Sequence, residues 1–415
     1  MKIGYACLTK GVYGTDFKTC TLKKATDENL FQLIRHNLET LERIIDYNIK
    51  MNIDFFRISS DIIPFGSSEV NSLEWDSIFQ EEFERIGSKI KEWGIRVSMH
   101  PGQYTVLNSP RRDVVDRAIE DLEYHNRFLE ALGCGREGKI ILHIGGVYGE
   151  KELAIERFKK TYKSLSGSIK DKLIIENDDK SYNIGEVLEI GNSLGIPVVY
   201  DNLHNALNPY NTSKDDRHYI KQAGKTWEKE DGRQKIHYSQ SADGMKTGAH
   251  SQTIDLKEIK EFLNCIPDVD IMLEVKDKNL SALKVNKLIR EKNIKALEEE
   301  WSRYKYNILE HDQNTYNRIR NLLKDKENYP VIEFYDLIDK ALEKEASEGG
   351  RLNAASHVWG YFKDKADAKE VKKYNSYISS FKKGTYSIKA VKKQLLRMAV
   401  KYDEKYLLDS YYFYF

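Results

Sequence analysis

Arg96-Val97-Ser98-Met99-His100-Pro101-Gly102-Gln103-Tyr104 is the stretch whose reading decides the fold. Ile95, Val97 and Met99 alternate with other residues, the period-2 pattern of a buried strand. The run ends in His100 and is broken at once by Pro101-Gly102, which cannot continue a strand interior. A histidine at the C-terminal end of a strand, followed by a loop, is where (β/α)8 barrel enzymes keep their chemistry. One such histidine would say little. The same arrangement recurs down the chain.

Working outward, apolar β-branched runs alternate with helical patterns through about residue 290. The strand candidates are Lys2–Ala6, Ile53–Ser59, Ile95–His100, Lys139–Ile144, Lys172–Asn177, Pro197–Asp201, Gln234–Ser239 and Val269–Val275. Between them lie helical stretches such as Asp27–Met51, Trp75–Trp93, Asp113–Leu132, Lys151–Ile169 and Ile184–Leu194, and a last one starts at Leu280. This alternation predicts an α/β chain, a (β/α)8 TIM barrel over residues 1–295. A doubly wound open sheet would fit the same alternation, but no glycine-rich phosphate fingerprint supports it.

From about Glu300 the texture changes. Strand runs disappear, and Trp301–Leu322, Val331–Ala346, Ala354–Tyr361, Lys363–Phe381 and Ile388–Tyr402 read as helices, with Glu348-Gly349-Gly350 as a loop. Residues 300–415 are therefore expected to form a separate all-helical domain. Within it, Lys363–Lys401 holds twelve Lys/Arg against three acids, a net +9, interleaved with Tyr374, Tyr377, Phe381 and Tyr386. Two readings stand: a solvated lysine-rich face over an aromatic core, or a DNA-binding surface that tracks phosphates.

Composition bounds the rest. With 415 residues, the chain has material for more than one core. Hydrophobic content of 40% beside 32% charged residues is an ordinary soluble profile, and no apolar run approaches a membrane span. Cys7, Cys20, Cys134 and Cys265 are scattered without C-x-x-C spacing, which argues against a disulfide framework or structural zinc site and for a reducing compartment. The expected setting is a reducing cytosol, with no membrane partner. A net charge of +1 hides any basic surface, which must come from local segregation.

The strand ends carry ligand-type side chains in order: His100, His143, Glu176, Asp201 with His204, then Lys235 with His237, a loop His250, and Glu274. In a barrel every strand aims its C-terminal end at one face, so groups far apart in sequence meet in one pocket. A carboxylate such as Glu176, directly after an apolar run, is costly to bury without a cation. Imidazoles and carboxylates together suit zinc, manganese or iron, and the acids tilt the set toward manganese- or magnesium-like chemistry. More than four candidate ligands implies more than one ion, and closely spaced ions can drive an in-line phosphoryl displacement. His36, His125 and His311 lie in helical patterns and read as packing or surface residues; His218 lies in a polar loop.

On these residues the chain resembles the UV-damage endonuclease family over roughly residues 1–290. The motifs are Gly4-Tyr5-Ala6-Cys7, Phe56-Arg57-Ile58-Ser59-Ser60-Asp61, His100-Pro101-Gly102-Gln103-Tyr104, Leu107-Asn108-Ser109-Pro110, His143-Ile144-Gly145-Gly146, Glu176-Asn177-Asp178 and Asp201-Asn202-Leu203-His204. The resemblance implies a metal-dependent DNA-repair endonuclease, usually discussed with Mn2+. Such an enzyme nicks damaged double-stranded DNA immediately 5′ to a UV photoproduct, here with two or three divalent ions and as a monomer. It carries His100, His143, Glu176, Asp201, His204, His237, His250 and Glu274 over as metal ligands, with His143, Glu176 and Lys235 catalytic. Lys235 matches a lysine that the family carries carboxylated; unmodified, it would be an ammonium contacting phosphate. Gln103 and Tyr104 match a pair that probes the duplex opposite the lesion, and Tyr5 an aromatic contacting the flipped-out lesion, or else a core tyrosine.

The chain departs from the pattern at Ser68, where the family commonly has a histidine ligand, with Glu69 nearby. A second departure is Leu8-Thr9-Lys10, where a polar asparagine often stands. The C-terminal His357-Val-Trp-Gly-Tyr-Phe and Tyr402–Tyr412 patterns are similar to an uncharacterised helical domain fused to several bacterial enzymes. A metal-dependent barrel sugar isomerase or epimerase would use a similar ligand set, and a catalytically inactive damaged-DNA-binding barrel would tolerate Ser68. Gln103-Tyr104 beside the metal histidine and the basic tail separate the endonuclease from the sugar enzyme, which needs neither.

Overall fold

The computed structural model describes residues 1–242, 248–290 and 292–415. It divides into two compact units, Met1–Thr9 with Gly14–Leu283, and Lys10–Tyr13 with Lys284–Phe415.

Among its described residues the first unit contains eight strands: β1 (Ile3–Ala6), β2 (Phe55–Ile58), β3 (Arg96–Met99), β4 (Lys139–His143), β5 (Leu173–Glu176), β6 (Val198–Val199), β7 (Lys235–Tyr238) and β8 (Asp270–Leu273). They pair in parallel in the order β6-β5-β4-β3-β2-β1-β8-β7. The edges meet through a parallel bridge between Asp201 and His237, where the His237 N–H donates to the Tyr200 carbonyl at 2.9 Å. The sheet is thus an almost closed barrel, and helices fill its crossovers as the alternation predicts. The strands are shorter than the apolar runs that announced them. The long run Trp75–Trp93 is two helices, Trp75–Ile78 and Gln80–Glu92.

Side chains two apart on a strand share a face, and this sorts the barrel interior into layers. The lowest is ionic. Arg96 pairs with Asp270 at 3.0 Å, while Asp231 accepts from Lys139 Nζ at 2.5 Å and from Arg136 Nε at 2.9 Å. Above it lies an apolar layer in which Phe55 and Met272 pack with Ala6, and Ile141, Ile174 and Val199 form a second cluster. Gly4 faces the same way as Ala6, and a Cβ there would stand 2.5 Å from the Phe55 carbonyl oxygen. The top layer holds the ligand-type side chains.

Among the described residues the regular elements of the second unit are all helices, around a core of Leu309, Ala354, Val358, Phe362, Val391, Leu395 and Met398. Trp359 and Tyr374 stack with ring centroids 4.1 Å apart. The expected loop at Glu348-Gly349-Gly350 is instead the first turn of a helix, Glu348–Trp359, capped by Ser347. A Cβ on Gly350 would lie 2.2 Å from the Glu310 carbonyl, so the glycine serves a close helix approach rather than a turn. The expected helix Trp301–Leu322 is broken at Asp312, which caps Gln313–Leu322, and Lys363–Phe381 begins only after Asp367, whose capping box with Glu370 starts Ala368–Lys382.

Candidate metal centre and cleft

Glu176 ends β5 with 1% of its surface exposed, and its carboxylate is ringed by imidazoles. His237 Nδ1 lies 2.8 Å from Oε1 and His100 Nε2 3.3 Å from Oε2. His204 Nδ1 stands at 3.6 Å and His143 Nε2 at 3.8 Å. Burial pushes the Glu176 carboxyl up, but these imidazoles outweigh it and hold it well below the usual carboxylate range. Asp201, after β6, is equally buried. Its Oδ1 caps the Asn202–Leu207 helix by accepting the His204 N–H at 2.8 Å. Asn177 pins the Asp201 backbone by bonding both its N–H, at 2.9 Å, and its carbonyl, at 3.1 Å.

Two groups converge tightly enough to hold an ion: His100, His143 and Glu176; and Glu176, Asp201 and His237. Several of their donors are buried without a hydrogen-bond partner, namely Asp201 Oδ2, His143 Nδ1 and His237 Nε2. Buried polar atoms are rarely left so. A divalent cation shared across Glu176 would satisfy a donor set of this kind, two carboxylates and three imidazoles.

The remaining sequence candidates are placed differently. Glu274 follows β8 and is ion-paired with Arg57; burial raises its carboxyl, but Arg57 and His237 hold it well below the usual range. His250 is anchored by a short contact between Nδ1 and the Glu274 carbonyl. His204 is buried, which opposes protonation, yet Asp201 and Glu176 hold it up to about 9. Among the described residues these three join neither tight group. Lys235 shares the inner face of β7 with His237 but lies one position deeper, fully buried, its Nζ without a partner and 5.5 Å over the Phe55 ring. Burial, then the charges of Arg96 and Arg57, lower its pKa well below that of an ordinary lysine.

The top layer opens into a cleft of about 1410 Å3 lined by Ser68, Gln103, Tyr104, His100, His143 and His204 among others. Tyr104 is 81% exposed. Ser68 lines the cleft where the family histidine was expected, with no ionisable group in its place, and Glu69 is exposed outside that lining.

Of the two readings of Tyr5, lesion contact or core tyrosine, its placement fits the second. Because Gly4 and Ala6 face the barrel interior, alternation turns Tyr5 outward into the helix layer. It is wholly buried there, its hydroxyl donating to Asn48 Oδ1 at 2.9 Å and bonded to Thr9 Oγ1 at 2.8 Å. It is a core residue and does not reach the cleft. His125 is buried against Asp121, as a packing residue should be.

Two residues escaped the sequence reading. Arg57, partly buried on β2, neutralises Glu274; an arginine inside Phe55-Phe56-Arg57-Ile58 is the signal that marks it. Tyr148 lines the cleft, 44% exposed, with Arg157 stacked on its ring and a φ of 50°. Cys7, Phe65 and Lys278 also have positive φ, each in a segment following a strand's C-terminal end, where backbone strain accompanies functional loops.

An almost closed parallel barrel with a buried histidine–carboxylate centre at the C-terminal ends of its strands defines the class: a barrel with the makings of a metal-dependent enzyme. Residues 1–305 match the family model described as UV-endonuclease UvdE, and residues 305–415 one described as a protein of unknown function. A UV DNA damage endonuclease of Clostridium perfringens is 44% identical over 352 residues, spanning 82% of this chain and 83% of that protein. One from Bacillus cereus is 34% identical over 275 residues, 65% of this chain and 86% of the relative. The solved structure of SacUVDE superposes with a TM-score of 0.66 at 38% identity, covering 70% of this chain and 98% of that one. The chain belongs to the UV-endonuclease family.

Proposed function

We propose that this protein nicks damaged double-stranded DNA on the 5′ side of UV photoproducts by metal-dependent phosphodiester hydrolysis, in the bacterial cytosol. The observation that carries the reading is the Glu176 cluster, with buried unpartnered donors on Asp201, His143 and His237, beside a cleft that presents Gln103 and Tyr104.

His100, His143 and Glu176 would hold one divalent ion, and Glu176, Asp201 and His237 a second, with Mn2+ the ion expected. Such ions, when bound, activate a water and stabilise the oxygens of an in-line displacement. The chain's own residues do the rest. Glu176 bridges the two groups and Asn177 fixes Asp201, so the donors are held before DNA arrives. Arg57 offsets the Glu274 charge and limits the repulsion among three neighbouring carboxylates. His204 and Glu274 stand close enough to enlarge the coordination set. Lys235, a buried amine with no partner, fits carboxylation by CO2 with loss of a proton, which would turn the amine into an anion beneath the centre. Gln103 and Tyr104 project from the loop after β3 and would probe the duplex opposite the lesion, favouring DNA whose bases are already unstacked.

The test is incision of an end-labelled duplex carrying a single thymine dimer, with manganese and with EDTA. A manganese-dependent cut just 5′ of the dimer, absent from undamaged duplex, is the expected result. No cut from metal-loaded protein would overturn the reading.

A further inference from the structure

The helix Ile388–Lys401 contains five Lys/Arg and no acid. Two of the five are neutralised within the second unit, Lys392 by Glu310 at 2.7 Å and Lys401 by Glu370 at 2.8 Å. Lys389, Lys393 and Arg397 are exposed, and among the described residues none takes a carboxylate partner. They stand four residues apart, so they form one stripe with a spacing of about 6 Å along the helix. Like charges at that spacing repel and disfavour the helix. An ordinary solvated helix face interleaves acids there; this one does not.

The stripe continues at the turn that joins this helix to Ala368–Lys382. Tyr386, 51% exposed, lies in that turn with its ring centroid 5.7 Å from that of Tyr377, and Lys373 sits over Tyr377 at 5.8 Å. An exposed ring, backed by the half-buried Tyr377 and set among unpaired cations, is a combination that grips a nucleic-acid backbone, with cations on phosphates and the ring on sugars or bases.

We propose that Lys373, Tyr377, Tyr386, Lys389, Lys393 and Arg397 form a second DNA contact, one that binds the sugar–phosphate backbone without regard to damage. The proposal rests on the DNA-nicking reading for its choice of nucleic acid. It gives the C-terminal unit a role of its own: supplying affinity that the lesion cleft does not, and holding the protein on undamaged duplex during search.

The experiment uses the full chain, measuring affinity for undamaged duplex across a salt series and, separately, incision of a dimer-bearing duplex at low salt. The variant K389Q/K393Q/R397Q should lower the slope of log affinity against log salt by about 2–3, close to 0.9 for each phosphate no longer neutralised. Y386A should weaken binding without changing the slope. A slope unchanged in the triple variant overturns the proposal. So does a loss confined to anionic phosphatidylserine vesicles, with duplex binding intact. If the slope falls as expected but no dimer is cut by wild-type protein, the second contact stands and the endonuclease reading fails.

Discussion

Replacing Lys235 by methionine separates what this lysine does for the fold from what it does for the centre. Its side chain is fully buried, with Nζ 5.5 Å over the Phe55 ring and without a hydrogen-bond partner. Burying a polar group uncompensated costs about 1–3 kcal/mol in proteins. Methionine has a similar unbranched reach and carries no such penalty. In EDTA, Lys235→Met is therefore expected to be more stable by about 1–3 kcal/mol, a rise in Tm of roughly 2–4 °C per kcal/mol. Incision of the dimer duplex should move the other way. Losing one oriented charged group from a catalytic centre typically lowers the rate by about 10²–10³. Thermal melts in EDTA and single-turnover incision in manganese measure the two effects on one sample. Intact-mass analysis at neutral pH adds the chemical state, since a carboxylated lysine carries the mass of one CO2 and loses it on acidification. Incision at the wild-type rate by a stabilised variant would refute the argument and reduce Lys235 to a tolerated defect of the core. A destabilised variant would show that Nζ is satisfied in a way this packing does not include.

Three further outcomes follow from the same geometry. Glu176→Gln preserves shape but removes the charge shared by both ligand groups, so incision should fall by about 10⁴ or more, the product of two such losses. Manganese should then no longer raise its Tm as it does for wild type, and retained activity would remove Glu176 from the centre. Tyr104→Ala removes an exposed ring distant from any core, so stability should change by less than about 0.5 kcal/mol. The preference for damaged over intact duplex should fall with manganese affinity unchanged; an undiminished preference would sink the probing role. At the opposite end of the barrel, Asp231→Asn breaks the buried contact with Lys139 and Arg136 and should cost about 3–5 kcal/mol in urea unfolding. Burial raises the Asp231 carboxyl, but those two cations outweigh it and hold its folded pKa below the ordinary value. Its contribution is therefore present above the unfolded pKa of about 4 and lost as pH falls through the lower folded value. The gap between wild type and variant should narrow on acidification below that point, and a gap that stays constant would contradict the assignment.

What the sequence made legible is what local periodicity carries. Strand runs that end in histidine or acid place those groups at one rim, and the order His100, His143, Glu176, Asp201, His237 follows from that alone. Alternation also contained the answer for Tyr5. Two small residues flank it, and the side of β1 bearing Gly4 and Ala6 is the side with room for Phe55, so the tyrosine faces the helices. Gly349-Gly350 misled for an opposite reason. Glycine costs a helix about 1 kcal/mol relative to alanine, which reads as a loop, unless a neighbouring backbone requires the space, and only the fold brings Glu310 to that position.

Pairing is harder to read than placement. His100, Asp201 and Glu274 look alike as strand-end ligands, yet Glu274 is ion-paired with Arg57, whereas Asp201 keeps a buried oxygen unpartnered. A side chain's availability to a metal depends on which partners reach it first, and those partners lie on other strands. Arg57 and Glu274 are 217 residues apart in the chain; Lys139 and Asp231 are 92 apart. No period relates such positions. The ligand roster can therefore be written from the sequence, but the division into free and committed ligands belongs to the folded barrel. Arg57 makes that division adjustable: a cation entering beside Glu274 must displace or compensate a guanidinium that keeps its charge, whereas one between Glu176 and Asp201 has to displace only the proton that those carboxylates favour on His204. The centre at Glu176, Asp201 and His237 should accordingly fill before any site that uses Glu274, and Arg57→Met should erase that order in a manganese titration.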